Sequence, residues 1–465
     1  MRMRAIRWAA LLSLAPLVGA AVPQPSDWVP ARWPWSDAKS LELLADSTIN
    51  CLLLKTYSAD FVTAAASRGL VLLAVIPGTG DAVAAAHTAL SAGVTGVVLE
   101  GSFPDDTVAA VGRAAGNAPV IQLTARNHLP LGSKAPIIGT YQGVWPGIEI
   151  EANGAAKAGP TGSVWIDTNS GFLRAVRVLE DASLWMANEP PQKTIVTGTR
   201  YLQVIADAAM AGARWVLALD DDFASRLNNR QAAALHDWGR MMGLMRYFEA
   251  HPEWRRMREY GRVAVVQDPA EGGLFSGGVL DMLAVKHLPA RSVPPQLLTA
   301  EAIHGAKVTL NLDAGDLSAN QQKVLRDFPK GGGMLLNMPP IWKDAGPMEE
   351  RFTPTKAESG ALDSLWHELN SALQRRDYGV SLFNVSSMIS NVLVSEDGKT
   401  IVVHLVNYSD YPVEDVSAVI PDDYKKATLI APDGADKTLE IAPSIDGPGV
   451  TIAKMSVCAT IKIEQ

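Results

Sequence analysis

Residues 50–76 read NCLLLKTYSADFVTAAASRGLVLLAVI, and this stretch decides the fold class of the first half of the chain. The apolar runs at its two ends, residues 50–54 and 70–76, are typical of strands that are buried on both faces. The alanine-rich segment between them, residues 59–67, carries its apolar side chains at helical spacing. A strand, a helix and a second strand in this order predict one βαβ unit of a parallel sheet.

The same alternation continues to about residue 250. Six further apolar runs suit buried strands, and they lie at residues 96–99, 119–123, 136–140, 164–166, 183–186 and 215–219. Helical stretches separate several of them, at residues 82–91, 107–115, 172–179 and 201–211, and residues 229–250 form a closing helix. Eight βα units in about 210 residues predict an α/β protein with a (β/α)8 TIM barrel at residues 22–258. An open doubly wound sheet is the alternative.

One part of this pattern is irregular. Residues 125–134, between the fourth and fifth predicted strands, are polar and contain proline. They offer no helical pattern, so we expect a loop in place of one barrel helix.

Two smaller units follow the predicted barrel. In residues 259–345, three apolar strands at 262–267, 307–312 and 333–337 alternate with helices at 277–286 and 318–327, which predicts a flavodoxin-like α/β domain. Residues 346–378 form a linker that ends in a helix. Residues 379–465 change to short alternating strands with turn signals, which are typical of a small C-terminal β-sandwich.

The first residues have the pattern of an export signal. Arg2, Arg4 and Arg7 precede a short apolar stretch at residues 8–18, and small residues follow it. Residues 1–21 are therefore predicted to be a signal peptide, which implies a secreted or periplasmic protein; an uncleaved amphipathic start is the alternative. No later stretch is long and apolar enough to predict a membrane-spanning segment.

The composition limits the classes of partner expected for this protein. The chain has 41 Lys plus Arg against 49 Asp plus Glu, a net charge of −8 without a basic block, which argues against nucleic acid as the main partner. Cys51 and Cys458 fall in two different predicted domains, so we expect two free, buried thiols. No motif indicates a metal or a cofactor, and the sequence leaves a homo-oligomer open.

Carboxylates follow three of the predicted barrel strands. Glu100 comes after the third strand, Asp167 after the sixth and Glu189 after the seventh. The carboxyl ends of barrel strands meet at one face, where barrel enzymes carry their active sites. Two carboxyl groups that flank a bond are the means by which glycosidases hydrolyse it. Glu189, Glu100 and Asp167 are the candidate catalytic residues, and a solvated or helix-capping role is the alternative for Glu189.

Other polar and aromatic residues of the same rim are candidate sugar-binding residues. They are Arg126, Tyr141, Gln142, Trp145, Asn169, Asn188, Asp220 and Asp222. Trp145 lies outside the apolar runs, and an indole face packs well against a sugar ring. Trp165 and Trp185 lie inside apolar runs and are more typical of core. Residues 220–222 also suit a helix cap.

The order of signal peptide, barrel, flavodoxin-like domain and C-terminal sandwich resembles barrel glycoside hydrolases of the β-galactosidase type, which carry a glutamine-amidotransferase-like middle domain. Residues 401–408, IVVHLVNY, are similar to the strand that opens the small sandwich in many such enzymes. The resemblance implies a carbohydrate substrate. Neither cysteine lies in the middle domain, so no glutaminase activity is expected there.

In the large clan of barrel glycosidases that this chain resembles, the acid follows strand four, often as Asn-Glu, and the nucleophile is a glutamate after strand seven. Glu189 matches the second position. The fourth predicted strand ends in residues 122–126, QLTAR, without a carboxylate. This departure leaves Glu100 or Asp167 as the partner of Glu189. A non-catalytic glycan-binding protein on the same scaffold is the alternative.

Overall fold

The computed structural model describes residues 23–145, 148–150, 156–158, 168–268, 273–312, 317–338, 355–374, 377–383, 385 and 387–465. Its first sheet consists of eight parallel strands that are hydrogen-bonded in chain order. These strands are β1 (Pro30–Arg32), β2 (Cys51–Leu54), β3 (Val71–Pro77), β4 (Gly96–Glu100), β5 (Val120–Thr124), β6 (Ile137–Thr140), β7 (Ser183–Ala187) and β8 (Arg214–Val216). Ala31 of β1 bridges to Leu217, directly after β8, and closes the sheet. The predicted α/β fold class with a barrel is confirmed.

The apolar runs are explained by the two sides of the barrel wall. In β2, Cys51 and Leu53 belong to the cluster inside the barrel, whereas Leu52 and Leu54 pack in the layer between strands and helices. Successive side chains of a strand point to opposite faces. Because both faces are buried here, every position of the strand is apolar.

Helices surround the barrel. They are α1 (Ala59–Ser67), α2 (Ala82–Ser91), α3 (Asp105–Ala115), α4 (Ser170–Arg177), α5 (Gly198–Met210), α6 (Asp221–Asn228) and α7 (Ala232–Glu249), with a 3-10 helix at Ala38–Leu44 between β1 and β2. Between β5 and β6 there is only a 3-10 turn, Arg126–His128, as residues 125–134 predicted.

The number of strands is as predicted, but their identity differs. The sequence pattern missed β1, which is three residues long and begins with proline. The predicted strand at 164–166 lies outside the described residues, and β6 pairs directly with β7, so no strand stands between them. The first predicted strand, at residues 50–54, is therefore β2 of the barrel, and the third, at residues 96–99, is β4. The seventh keeps its number.

The second sheet contains four parallel strands in the order β10-β9-β11-β12. The strands are β9 (Val263–Val266), β10 (Ala290–Val293), β11 (Val308–Asn311) and β12 (Met334–Asn337), and its helices are α8 (Gly273–Val285) and α9 (Ala319–Asp327). The order agrees with the flavodoxin-like prediction, although β10 was not expected. Helix α8 packs against α4 of the barrel. Helix α10 (Lys356–Ala372) contributes Leu362, Leu365 and Leu369 to the core of this layer.

The C-terminal part consists of two antiparallel sheets over a shared apolar core. Its strands are β13 (Ser381–Phe383), β14 (Met388–Val394), β15 (Thr400–Asn407), β16 (Val413–Val419), β17 (Lys426–Ile430), β18 (Lys437–Leu439), β19 (Ala442–Ser444), β20 (Gly447–Met455) and β21 (Cys458–Glu464). The sandwich also packs on the barrel, where the Tyr247 hydroxyl donates to Thr460 Oγ1 at 2.5 Å.

Two sequence expectations concern burial and export. Cys51 and Cys458 are buried and unpaired, as expected. The predicted signal peptide, residues 1–21, lies outside the described residues. In the described part of the chain, no helix is both long and apolar enough to cross a membrane.

Candidate active site

Four charged side chains lie at the carboxyl ends of the barrel strands. Arg32 ends β1, Lys55 follows β2, Glu100 ends β4, and Glu189 comes two residues after β7. Two positions before Lys55, Glu100 and Glu189 stand Leu53, Val98 and Ala187, which belong to the cluster inside the barrel. Ala31, next to Arg32, packs in the helix-facing layer. The alternation of strand side chains therefore directs all four toward the barrel axis.

These four residues form a connected ionic cluster. Arg32 Nη2 donates to Glu100 Oε2 at 2.6 Å, and Arg32 Nη1 lies 3.6 Å from Glu189 Oε1. Lys55 Nζ also contacts Glu189 Oε1. Because one guanidinium touches both carboxylates, the two lie no farther apart than about 10 Å, the upper end of the range that glycosidases use. We call Glu100 and Glu189 the carboxylate pair.

Exposure differs within the cluster. The side chain of Arg32 is 9% exposed, that of Glu100 is 23% exposed and that of Glu189 is 47% exposed. Arg32 Nε and Nη1 are buried without a hydrogen-bond partner. A buried cation of this kind needs a nearby negative charge, which the carboxylate pair supplies. The carboxylates themselves remain open to the solvent at the barrel mouth.

The loop that carries Glu189 is tied to the loop after β6. Gly143 N donates to the Ala187 carbonyl at 2.8 Å, and Asn188 Nδ2 donates to the Gly143 carbonyl at 2.6 Å. A Cβ at position 143 would lie 2.5 Å from the Trp215 ring and 2.9 Å from the Ala187 carbonyl oxygen. Only glycine fits this position, so backbone contact between the two loops helps to place Glu189.

Trp145 differs from its expected role. Its side chain is 5% exposed, and its ring packs edge-to-face on Tyr201 and Trp215 with centroids 5.5 and 5.2 Å away. Trp145 Nε1 donates to the Glu189 carbonyl at 3.1 Å. The loop folds inward because burial of the indole is favourable once its N–H has a partner. Trp145 therefore helps to hold the loop that carries Glu189, and its buried ring is not exposed for stacking on a sugar.

Arg126, Gln142 and Asn169 form a network below the rim. Arg126 donates from Nε to the Gln142 carbonyl at 2.9 Å and from Nη2 to Asn169 Oδ1 at 3.1 Å. Arg126 is 3% exposed and Asn169 is 0% exposed. Both were expected to bind substrate, but their polar groups are used in holding the loops after β5 and β6. Gln142, Asn188 and Tyr141 are half-buried.

The network ends on a buried carboxylate that the sequence did not single out. Asp207 of α5 accepts from Asn169 Nδ2 at 2.7 Å and from the Tyr408 hydroxyl at 2.7 Å. Burial raises the pKa of Asp207, and these hydrogen bonds oppose that rise. Its position in an apolar helix gave no signal of this role.

Asp220 and Asp222 have structural contacts. Asp220 is 5% exposed, caps α6 by accepting from Phe223 N at 2.9 Å, and accepts from the Tyr201 hydroxyl at 2.8 Å. Asp222 is exposed and pairs with Arg226 at 2.7 Å, one helical turn away. The helix-cap alternative holds for Asp220. Asp167 and Trp165 lie outside the described residues, and Trp185 is core, as expected.

Arg32 and Lys55 are not among the site residues predicted from the sequence. Lys55 could have been found by the rule that polar residues after barrel strands form the site. Arg32 gave no such signal because its strand was not recognised. Within the described ranges, no three His, Cys, Asp or Glu side chains are grouped so that they could hold a metal ion.

Comparisons with known proteins agree with this architecture. No family profile matches the sequence, and no curated protein matches it. The fold is similar to that of α-L-fucosidase isoenzyme 2 from Paenibacillus thiaminolyticus, with a TM-score of 0.61 and 10% identity over 95% of this chain and 100% of that chain. It is also similar to a β-galactosidase from Rahnella sp. R3, with a TM-score of 0.51 and 8% identity over 95% of this chain and 99% of that chain. The chain therefore shares the fold of barrel glycoside hydrolases.

Proposed function

We propose that this protein is a glycoside hydrolase that uses Glu100 and Glu189 as its two carboxyl groups. The observation that supports this most directly is the contact of Arg32 with both carboxylates at the open end of the barrel. Glycosidic bond cleavage needs one carboxyl group to protonate the leaving oxygen and a second to attack or to activate water. A pair within reach of one guanidinium meets that requirement.

The corrected strand order supports an assignment of roles. With β1 included, Glu100 ends the fourth strand and Glu189 follows the seventh. These are the acid and nucleophile positions of the glycosidases that the sequence resembles, although Leu99 stands where those enzymes often have asparagine. In the first step, Glu100 protonates the leaving oxygen while Glu189 attacks the anomeric carbon. In the second, Glu100 takes a proton from water, whose oxygen displaces Glu189.

The two cations have different parts in this scheme. Arg32 is buried and holds the carboxylate pair in place, so it is a positioning residue. Lys55 is 61% exposed and contacts only Glu189 in this cluster. An exposed ion pair is weak, so a sugar can displace Lys55 at small cost.

The test is hydrolysis of a panel of aryl glycosides that includes α-L-fucosides and β-D-galactosides. Glu189→Gln and Glu100→Gln are each expected to lower kcat by about 10³-fold or more, since a glycosidase cannot complete the reaction without either carboxyl group. Glu368→Gln, on the exposed face of α10, is the matched control. Full activity in Glu189→Gln would remove Glu189 from the mechanism.

The two roles can be separated in the same assay. Glu100→Gln is expected to keep a fast first step toward a 2,4-dinitrophenyl glycoside, seen as a burst of dinitrophenol, because that leaving group departs without protonation. Its steady-state kcat should stay low, because the second step still lacks its base. Glu189→Ala is expected to recover turnover with added azide, which replaces the missing nucleophile. The reverse pattern would exchange the two assignments.

A non-catalytic glycan-binding protein is the second candidate. It is favoured by the ion pairs, which leave each carboxylate facing a cation in this structure. Saturable glycan binding by calorimetry, without sugar release over days, would support this function over hydrolysis.

Export belongs to the same proposal. Residues 1–21 have the pattern of a signal peptide, which would place the mature enzyme outside the cytoplasm. Mass spectrometry of the protein from the secreted and periplasmic fractions should find a new N-terminus close to residue 22. An intact N-terminus in the cytoplasmic fraction alone would contradict it.

A further inference from the structure

A cavity of about 1310 Å³ lies at the end of the barrel opposite to the carboxylate pair. It is bounded by the starts of β7 and β8, by β10 of the middle sheet and by β14 of the sandwich. Its volume exceeds the ~300 to 1,000 Å³ of ordinary ligand pockets, so an organic molecule fits inside it. All three parts of the chain contribute to its wall.

The charges that line this cavity are unbalanced. Eight arginines and four carboxylates belong to its described lining, which contains no lysine. Glu249 is already occupied, because it accepts from Arg214 at 2.9 and 2.8 Å and from Arg255 at 2.6 Å. Glu259 is paired with Arg174. The lining therefore carries more guanidiniums than carboxylates, and two of the carboxylates are already in contact with other arginines.

Arg177 and Arg291 are two of these guanidiniums. Arg177 donates to the carbonyls of Ala182 at 3.0 Å and Gly212 at 2.7 Å, and Arg291 donates to the His304 carbonyl at 3.0 Å. The Nε atom of each is buried without a hydrogen-bond partner. Neither forms an ion pair within the described part of the chain. Two half-buried guanidiniums, each with an unused Nε donor, therefore line the cavity.

The electrostatics agree with this geometry. Burial lowers the pKa of Arg177 to about 10, and the positive charges of Arg255 and Arg214 lower it further, against a rise from Asp181. Burial also lowers the pKa of Arg291, with a further decrease from Arg258 and an opposing rise from Glu259. Desolvated like charges disfavour one another, and a bound anion would relieve that repulsion.

Arg256 adds a third cation at the solvent side. It is exposed and has no ion pair or hydrogen bond to a described residue. Trp254, Met257 and Leu393 provide apolar surface between the charged positions. The lining thus combines guanidiniums with a hydrophobic wall, which is how proteins hold organic anions.

We propose that this arginine cavity binds a small organic anion that carries at least two phosphate or carboxylate groups. Planar guanidiniums match both groups, because two parallel N–H donors meet two oxygens. Arg177 and Arg291 would each bind an anionic group of such a molecule, and the exposed Arg256 would add a further contact.

The experiment is calorimetric titration of the full-length protein with pyrophosphate and, in parallel, with citrate. One saturable site is expected for at least one probe, with an affinity that falls as salt is raised, and the stronger probe indicates whether phosphate or carboxylate is preferred. Arg177→Gln combined with Arg291→Gln should weaken binding about tenfold or more, and Arg256→Gln about threefold. Arg113→Gln, which removes the same charge from the outer face of α3, should leave binding unchanged.

The outcomes are distinguishable from those of the proposed hydrolysis, because binding is measured without a glycoside. Absence of saturable binding with both probes would overturn the proposal. Equal affinity in the wild type, the double variant and Arg256→Gln would do the same. If the double variant does not fold, as circular dichroism would show, Arg256→Gln decides, since that exposed side chain has no ion pair or hydrogen bond to a described residue.

Discussion

At the scale of single residues, Arg32 determines how the carboxylate pair is arranged. It is the buried member of the cluster, and its guanidinium is the group that both carboxylates contact. Without it, two negative side chains would face each other with only the exposed Lys55 between them. Like charges at this distance repel, so the side chains would move apart.

Arg32→Met is therefore expected to lower kcat by about 100-fold, with a smaller change in KM, because misplaced reacting groups slow the chemical step. Arg32→Lys should recover part of the loss, since the positive charge returns without the fork that spans two carboxylates. Kinetics and the pH profile of kcat would show both effects. Arg113→Met is the control, and wild-type kcat in Arg32→Met would contradict the positioning role.

At the scale of elements, the start of α4 is held by a side chain of another helix. Asp281 of α8 accepts from Thr168 Oγ1 at 2.7 Å, from Ser170 Oγ at 3.0 Å and from Gly171 N at 2.9 Å. It therefore acts as the N-terminal cap of α4 from outside that helix. Since Asn169 lies in the same segment, α8 of the middle layer also helps to support the barrel rim.

Asp281→Ala is expected to lower the free energy of unfolding by about 3 kcal/mol, because buried donors of Thr168, Ser170 and Gly171 lose their acceptor. Urea unfolding followed by circular dichroism measures this. Asp222→Ala is the matched control, since its exposed ion pair with Arg226 is worth less than about 1 kcal/mol. A loss in Asp281→Ala no larger than in the control would show that α4 needs no such cap.

At the scale of the whole molecule, two buried histidines lie where the parts of the chain meet. His287 Nδ1 is 3.2 Å from Ser390 Oγ of β14, and His404 of β15 packs against Trp254 with ring centroids 4.8 Å apart. Burial lowers the pKa of His287 to about 4. Burial, with a contribution from the charge of His251, lowers the pKa of His404 to about 3.

Acid should therefore weaken the junctions. Below pH ~6.5 the unfolded chain protonates both histidines and the folded chain does not, so stability is lost as pH falls from ~6.5 toward ~4. Uptake of two protons on unfolding changes the free energy of unfolding by about 2.7 kcal/mol per pH unit. The raised pKa of Asp207 makes a contribution of the opposite sign. Urea unfolding between pH 7.5 and 4.5 measures the slope.

Single substitutions show which histidine causes this pH dependence of the free energy of unfolding. His287→Gln and His404→Gln should each reduce it by one proton, whereas His236→Gln, on the exposed face of α7, should leave it unchanged. A slope that is the same in all four proteins would mean that other groups control the acid response.

The amino-acid sequence by itself determined the kind of fold. Continuous apolar runs such as Cys51–Leu54 and Val71–Pro77 have no polar face, so they are stable only in a parallel sheet covered on both sides. The alternating pattern after residue 379 likewise determined antiparallel strands, and the polar segment 125–134 determined the missing helix. Glu100 and Glu189 were also selected as candidates from sequence, because a polar residue at the end of an apolar run is a local feature.

Only the tertiary structure decided how these elements are counted and which side chains are buried. Residues Pro30–Arg32 form a strand because neighbours on both sides, β2 and Leu217, supply hydrogen-bond partners. Three residues are too few to show a strand pattern in the sequence. That strand moves Glu100 to the end of the fourth strand and brings Arg32 beside it. The burial of Trp145, Arg126 and Asn169 was decided in the same way, by partners such as Tyr201 and Asp207 that are distant in sequence. Such contacts depend on the closed barrel, which no local stretch of sequence contains.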